Sequence, residues 1–429
     1  MYFCVKSFDR INISEKKCTM KFEDYRISTK IKKQLSVMGF VRPTDIQFKA
    51  IEPILQGEDV LAIAQTGTGK TAAFAIPILE MLERSKSKQE KHTGIQCLVL
   101  APTRELALQI TNVFIEIGKE LSIVSTSIYG GVEQDAQIAK LNEGVDILVA
   151  TPGRMFDLVS QGHLSLSHVK IVCIDEADLM LDLGFIKDIN DVMKFVPTHR
   201  QTLFFSATIS KHIKKLAYSV VRNAIRIQIS PKNPVAKNIQ HAVVFVEMDH
   251  KRFFLENILK EYEESKFVVF VRTKVRAERV VAAMQRVEIH TEFLHGGLDQ
   301  KERFLVLDRF RMGENRVLIT TDVAARGIDI PNVEYVINYD MPDVAENYVH
   351  RVGRTGRGEK KGQALAFCSN DERVFLEEIE TYTGEEIMHY DLNEWEYKDI
   401  LKDTEEGGYN WQKLINDANK EDGTEDAWD

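Results

Sequence analysis

Nowhere in its 429 residues does the chain carry an apolar run near the roughly 18 residues that a membrane span requires, so it reads as a soluble protein without a membrane partner. A metal or disulfide framework is missing as well. The five cysteines, Cys4, Cys18, Cys97, Cys173 and Cys368, are scattered with no CxxC pair. Three of them stand inside apolar runs, so buried core thiols in a reducing, cytoplasmic setting are expected. No signal peptide opens the chain, because MYFCVKSFDR carries charges where an apolar stretch would be needed. The basic excess of a nucleic-acid binder is also lacking, with a formal net charge of −9. That total misleads, since Asn370 to Asp429 hold 20 acidic and 5 basic residues, which leaves +6 on the preceding body. A mildly basic body can meet phosphates.

The length predicts two compact domains. Short, continuously apolar and β-branched runs alternate with helix-length stretches: VLAIA (60–64), CLVLA (97–101), ILVAT (147–151), IVCID (171–175) and TLFFS (202–206). Such runs fit strands of a parallel sheet covered on both faces, so an α/β doubly wound domain is expected over 20–230. After the polar, twice-prolyl segment SPKNPVAKN, read as a linker over 231–238, the pattern restarts. FVVFV (267–271), VLITT (317–321), VEYVINY (333–339) and ALAF (364–367) predict a second α/β domain over 239–370. Residues 1–19 form an N-terminal extension and 371–429 an acidic tail. Within that tail Tyr397, Ile400 and Leu401 have helical spacing and predict one short amphipathic helix.

Strand VLAIA runs into Ala64-Gln65-Thr66-Gly67-Thr68-Gly69-Lys70-Thr71 and then a helical pattern. This is the arrangement of a phosphate-binding loop. Glycines let backbone N–H groups wrap phosphate oxygens at a helix N-terminus, Lys70 reaches the β and γ phosphates, and the Thr71 hydroxyl coordinates magnesium. About a hundred residues later, strand IVCID ends in Asp175-Glu176-Ala177-Asp178. Asp175 at a strand end is placed to hold magnesium through water, and Glu176 to orient and deprotonate the attacking water.

These residues resemble the DEAD-box RNA helicases over roughly 22–370, and the RhlE-type branch most closely. The resemblance implies two tandem RecA-like domains and an ATP-dependent RNA helicase. Because it begins near Phe22, Met20 is expected to be the natural start. Gly39-Phe40-Val41-Arg42-Pro43-Thr44-Asp45-Ile46-Gln47 is similar to the family's Q motif. It implies that Gln47 pairs with adenine N6 and N7, with Phe22 or Phe40 stacking on the base. Ser206-Ala207-Thr208 resembles the motif that couples hydrolysis to strand separation through Asp178, its hydroxyls bridging the DEAD carboxylates and the second domain.

Pro102-Thr103-Arg104-Glu105, Gly130-Gly131 and Thr151-Pro152-Gly153-Arg154 each follow a strand and so share one sheet edge. Hydroxyls, glycine N–H groups and arginines suit a phosphate and 2′-OH track that reads backbone shape and not sequence. In the second domain the resemblance assigns Arg272, Thr273, Gln300, Arg303 and Thr321 to RNA and Asp329 to the ATP ribose. In His350-Arg351-Val352-Gly353-Arg354-Thr355-Gly356-Arg357 it makes Arg354 and Arg357 arginine fingers, with His350 in coupling.

The expected activity is hydrolysis of ATP with Mg2+ as the two domains close on ATP and RNA, opening short duplexes locally. An ATP-gated RNA clamp with slow turnover is the alternative, and a DNA helicase a more distant one. A monomer is expected. The acidic, Trp-containing tail leaves three readings open: a protein-docking segment, an RNA-mimicking autoinhibitor, or a solvating end.

Overall fold

The computed structural model describes residues 20–65, 67–87, 94–229, 235, 238–295, 297–325, 333–356, 361–390 and 392–402. The chain divides into two compact units, 1–229 and 230–429. Among the described residues the first unit holds strands β1 (Val60–Ile63), β2 (Cys97–Leu100), β3 (Ser125–Ile128), β4 (Ile147–Ala150), β5 (Ile171–Ile174), β6 (Gln201–Ser206) and β7 (Ile225–Gln228). All pair in parallel, in the order β3-β4-β2-β5-β6-β1-β7.

Side chains of a strand alternate between faces, and both faces of this sheet are covered. On β1, Val60 and Ala62 join one core with Phe74, Phe114 and Phe205, while Leu61 and Ile63 join the opposite core with Leu98, Leu100 and Phe204. Helices Lys70–Ser87 and Arg104–Ile117 seal the first face; Pro152–Ser160, Ile186–Phe195 and Lys211–Val220 seal the second. This two-sided burial is why the central strands read as unbroken apolar runs. Cys97 and Cys173 lie buried in these cores and Cys368 in the second unit, and burial pushes all three thiols up. Cys4 and Cys18 fall outside the described residues.

The second unit repeats the plan with β8 (Ile239–Phe245), β9 (Phe267–Phe270), β10 (Glu292–Leu294), β11 (Val317–Thr320), β12 (Tyr335–Asn338), β13 (Gly362–Cys368) and β14 (Met388–Tyr390). Its order is β10-β11-β9-β12-β13-β8-β14, the first unit's order strand for strand. Every strand expected from an apolar run is present. β3 and β7, which sit at the two edges of their sheet, gave no such run: β3 alternates half-buried with buried residues, and β7 buries one residue of four.

The end of the second unit differs from the expectation of a tail from 371. Helix Arg373–Thr383, strand β14 paired to β8, and helix Glu394–Lys402 all belong to the fold. Leu376, Ile379, Ile387 and Ile400 are buried in its cores. Acidic residues on the solvent side of these elements hid the buried ones from a reading by charge. The short amphipathic helix expected around Tyr397 is helix Glu394–Lys402. Of the linker, 230–234, 236 and 237 lie outside the described residues, whereas Val235 is buried in the second unit's core.

Each of those four apolar side chains contributes about 1.5–3 kcal/mol on burial, which together rivals the ~5–15 kcal/mol stability of a whole domain. A chain ending at Asn370 therefore loses cooperative melting of the second unit, whereas one ending at Lys402 keeps it. Differential scanning calorimetry of the two truncations checks this.

Candidate functional site

A parallel sheet brings all its strand ends to one edge, and at that edge of the first unit β5, β6 and β1 are neighbours. Ala64 N donates to Ser206 O (3.0 Å), so the loop leaving β1 starts beside the Ser-Ala-Thr segment leaving β6. Gly67 and Gly69 both have positive φ, +79° and +88°. A Cβ at Gly69 would overlap the Gln47 amide, so this position demands glycine twice over. Thr68 Oγ1 closes the loop on Gln65 O (2.7 Å), and Thr66 lies outside the described residues. Lys70 starts the next helix with its ammonium buried and without a hydrogen-bond partner among the described residues; Thr71 beside it is half-buried.

Asp175, 2% exposed, follows β5, which β6 separates from β1. Burial raises its carboxyl above the ordinary range, Lys70 and the N–H of Glu176 (3.0 Å) lower it in part, and Asp178 raises it again. Glu176 adopts the left-handed conformation (φ 50°, ψ 51°), which is strained for a side chain of this kind, at the head of helix Ala177–Asp182. Asp178 Oδ2 accepts from the backbone N–H groups of Ala207 and Thr208, both at 3.1 Å. The link between Asp178 and the Ser-Ala-Thr segment thus runs through the backbone. The expected hydroxyl bridge is not what is seen, and Ser206 Oγ is buried without a partner among the described residues.

At the base-binding end Gln47 has a structural role as well, and the expectation for Phe22 changes. Gln47 is 4% exposed; its Oε1 accepts from Thr44 N (2.9 Å) and its Nε2 donates to Gly69 O (3.1 Å). It caps helix Asp45–Leu55 and tethers the phosphate loop, and Thr44-x-x-Gln47 is a capping-box spacing legible in the sequence. The Phe22 ring is core, 3% exposed and packed on Tyr25 and Phe40, because it inserts beneath the same helical layer. Phe40 is half-buried.

The three expected RNA segments converge. β3, β4 and β2 are neighbours, so Gly130-Gly131, Thr151-Pro152-Gly153-Arg154 and Pro102-Thr103-Arg104 leave adjacent strands. The Arg104 guanidinium lies against Gly131, whose positive φ (+73°) strains any other residue there. Arg154 Nη2 donates to Val132 O (2.7 Å), and Thr103 Oγ1 accepts from Leu106 N (3.2 Å) as a helix cap. Thr151 heads helix Pro152–Ser160 with no side-chain cap, which leaves first-turn N–H groups facing the edge.

The second unit uses the matching edge positions. Arg272-Thr273 follows β9, and Thr321 follows β11, the topological counterparts of β2 and β4. Thr273 Oγ1 caps helix Lys274–Arg286 by accepting from Arg276 N (3.2 Å). Arg272, expected to face RNA, directs Nη2 to Met341 O and Glu372 Oε1, each at 3.0 Å. Gln300 and Arg303 occupy the first turn of helix Gln300–Met312, Arg303 half-buried.

Helix Ala345–Val352 carries half-buried His350, and Arg354 just beyond it is 5% exposed with Nε donating to His350 O (3.2 Å). Arg357 and Asp329 lie outside the described residues. Sequence reasoning missed Arg351, which is 1% exposed and meets Asp322 through Nε (2.6 Å) and Nη2 (2.8 Å). Its three-residue spacing from Arg354 carried no sign of that burial.

Two family models match, a DEAD/DEAH box helicase over 44–216 and a helicase conserved C-terminal domain over 250–359. The chain is 39% identical over 367 residues to the ATP-dependent RNA helicase DbpA of Bacillus subtilis, covering 86% of this chain and 75% of the relative. It is 38% identical over 390 residues to the ATP-dependent RNA helicase RhlB of Shewanella frigidimarina, covering 90% and 88%. Among solved structures, Dbp5 of S. cerevisiae bound to RNA and ADP BeF3 superposes with a TM-score of 0.79 at 31% identity, over 89% of this chain and 99% of that one.

Tandem RecA-like units, the first with a phosphate loop beside an acidic strand end, define a nucleotide-driven helicase. More narrowly, the chain belongs to the DEAD-box ATP-dependent RNA helicases.

The raised Asp175 carboxyl gives a stability test. Between the ordinary aspartate range and its raised folded value the folded state holds more protons than the unfolded one, so stability falls as pH rises through that window and the penalty is complete above it. Asp175→Asn keeps the acceptor for Glu176 N and removes the buried charge. At neutral pH without nucleotide it raises the melting temperature by about 2–4 °C for each kcal/mol relieved, while ATPase activity is lost. Calorimetry from acid to neutral pH should show the gain shrinking as pH falls.

Proposed function

We propose that the first unit binds ATP with Mg2+ at the edge formed by β5, β6 and β1. The observation that carries this is the buried Lys70 ammonium, which has no hydrogen-bond partner among the described residues and stands close enough to lower the Asp175 carboxyl. An unpartnered buried ammonium beside a buried carboxyl group fits a bound phosphate and a cation. Lys70 and the loop N–H groups would hold the phosphates, and Thr71 and Asp175 the ion, with Gln47 and Phe40 nearest the base. When bound, the ion neutralises charge on the phosphates. Glu176, held in its strained turn, accepts the proton of the attacking water, and Arg354 with Arg357 supplies positive charge to the transferring group.

RNA is read through phosphates and 2′-OH groups by Thr103, Arg104, Gly131, Thr151 and Arg154 in the first unit and by Thr273, Arg303 and Thr321 in the second. Since both units contribute to hydrolysis and to RNA, the two ligands bind cooperatively, and duplexes open locally and not processively.

Glu176→Gln lowers kcat by ~10²–10⁴-fold, and Arg354→Ala by ~10³–10⁵-fold, with nucleotide affinity kept. Wild-type turnover in either variant overturns its assigned role. Steady-state ATPase assays with and without single-stranded RNA also separate a helicase from an ATP-gated clamp, which would show little RNA-stimulated turnover.

A further inference from the structure

The connection leaving β8 is the second unit's counterpart of the phosphate loop leaving β1, yet Val246-Glu247-Met248-Asp249-His250 contains no glycine. Like Lys70, Lys251 begins the helix that follows. Unlike Lys70, it is fully buried and partnered, donating to Tyr339 O (2.8 Å) and to the Glu372 carboxylate. No nucleotide phosphate is left a role there.

Glu372, 1% exposed, accepts far more than one bond. Its Oε1 takes Met341 N (3.1 Å) and Arg272 Nη2 (3.0 Å), and its Oε2 takes Ser369 N and Ser369 Oγ, both at 3.1 Å, besides Lys251. One carboxylate therefore pins the segments leaving β9, β12 and β13 to the helix that follows β8. All of these lie on the edge where Thr273 and Thr321 stand. Arg272 is doubly fixed, because its own N–H donates to Asp340 Oδ2 (2.9 Å) and its guanidinium lies over the Phe375 ring (5.1 Å to the centroid).

We propose that Glu372, held by Lys251, is a positioning residue for RNA binding: it touches no RNA, and through Arg272 it sets the backbone that presents Thr273. This inference rests on the reading that Thr273 meets RNA.

Removing Glu372 alone would leave Lys251 as a buried cation without its counter-charge, so the informative variant is Glu372→Gln combined with Lys251→Met, which neutralises both at similar volume. In the full chain this double variant melts cooperatively and keeps kcat at saturating RNA and the KM for ATP. Its apparent KM for a single-stranded RNA oligonucleotide rises about tenfold, the scale of one weakened charged hydrogen bond. Lys251→Arg, which keeps the pair, stays within about twofold of wild type on the same scale. Thr273→Ala reports on the underlying reading and also raises the RNA KM.

An unchanged RNA KM in Thr273→Ala removes the RNA reading and this inference with it. A raised KM in Thr273→Ala beside a wild-type KM in the double variant overturns the positioning role alone. A double variant that fails to melt cooperatively, or loses kcat and RNA affinity together, assigns the pair to stability and overturns it too.

Discussion

The parallel register of β5, β6 and β1 is the constraint on which the rest of the first unit depends. Ile174 pairs with Phe204, and Ile63 with Ser206, so three strands stop within a residue or two of one another. Three segments far apart in sequence are thereby delivered to one place: the loop to Lys70, the turn at Asp175 and the segment after Ser206. No local propensity could bring them together. Burial of alternate side chains on two faces fixes the register, since a slip of one residue would send Leu61 to the wrong core.

That rigidity is spent on arrangements unfavourable by themselves. A desolvated carboxyl at Asp175, a left-handed glutamate at Glu176 and, without a hydrogen-bond partner among the described residues, the Lys70 ammonium and the Ser206 hydroxyl sit within three segments of one sheet edge. Each works against folding, and the apolar cores on both faces offset them. Sites of this kind hold charge and strain in readiness for a ligand that relieves them. The Gln47 amide shows how closely such a site is built, with one end capping a helix and the other holding Gly69 in a conformation that only glycine adopts without strain.

Much of this was legible in the sequence, for physical reasons that also mark where legibility stopped. Strands buried on both faces announce themselves as apolar runs, and the Gly-Lys-Thr and Asp-Glu-Ala-Asp segments carry residue types that few other roles require together. Edge strands such as β7, with three of its four residues exposed, read as loops. Phe22 could not be told from a base-stacking ring, because burial depends on what packs above it. The dual use of Gln47, the backbone route from Asp178 to Thr208 and the capture of Arg272 by Glu372 depend on neighbours distant in sequence. A charge count even pointed the wrong way at the C-terminal end, where acidic surfaces cover the buried faces of two helices.

The two sheets carry the same strand order and yet solve opposite electrostatic problems at the lysine that begins the helix after their first strand. In the first unit glycines keep the backbone thin, and Lys70 faces a buried carboxylate without bonding it. In the second the connection holds no glycine, and Lys251 bonds Tyr339 O and a glutamate arriving from beyond β13. A buried lysine left bare would be unstable, so where the connection offers no phosphate site the ammonium needs an internal acceptor. Glu372 is that acceptor, and its carboxylate has further bonds to accept, one of them from Arg272. The divergence of function between two like folds is thus traceable to what neutralises one ammonium in each.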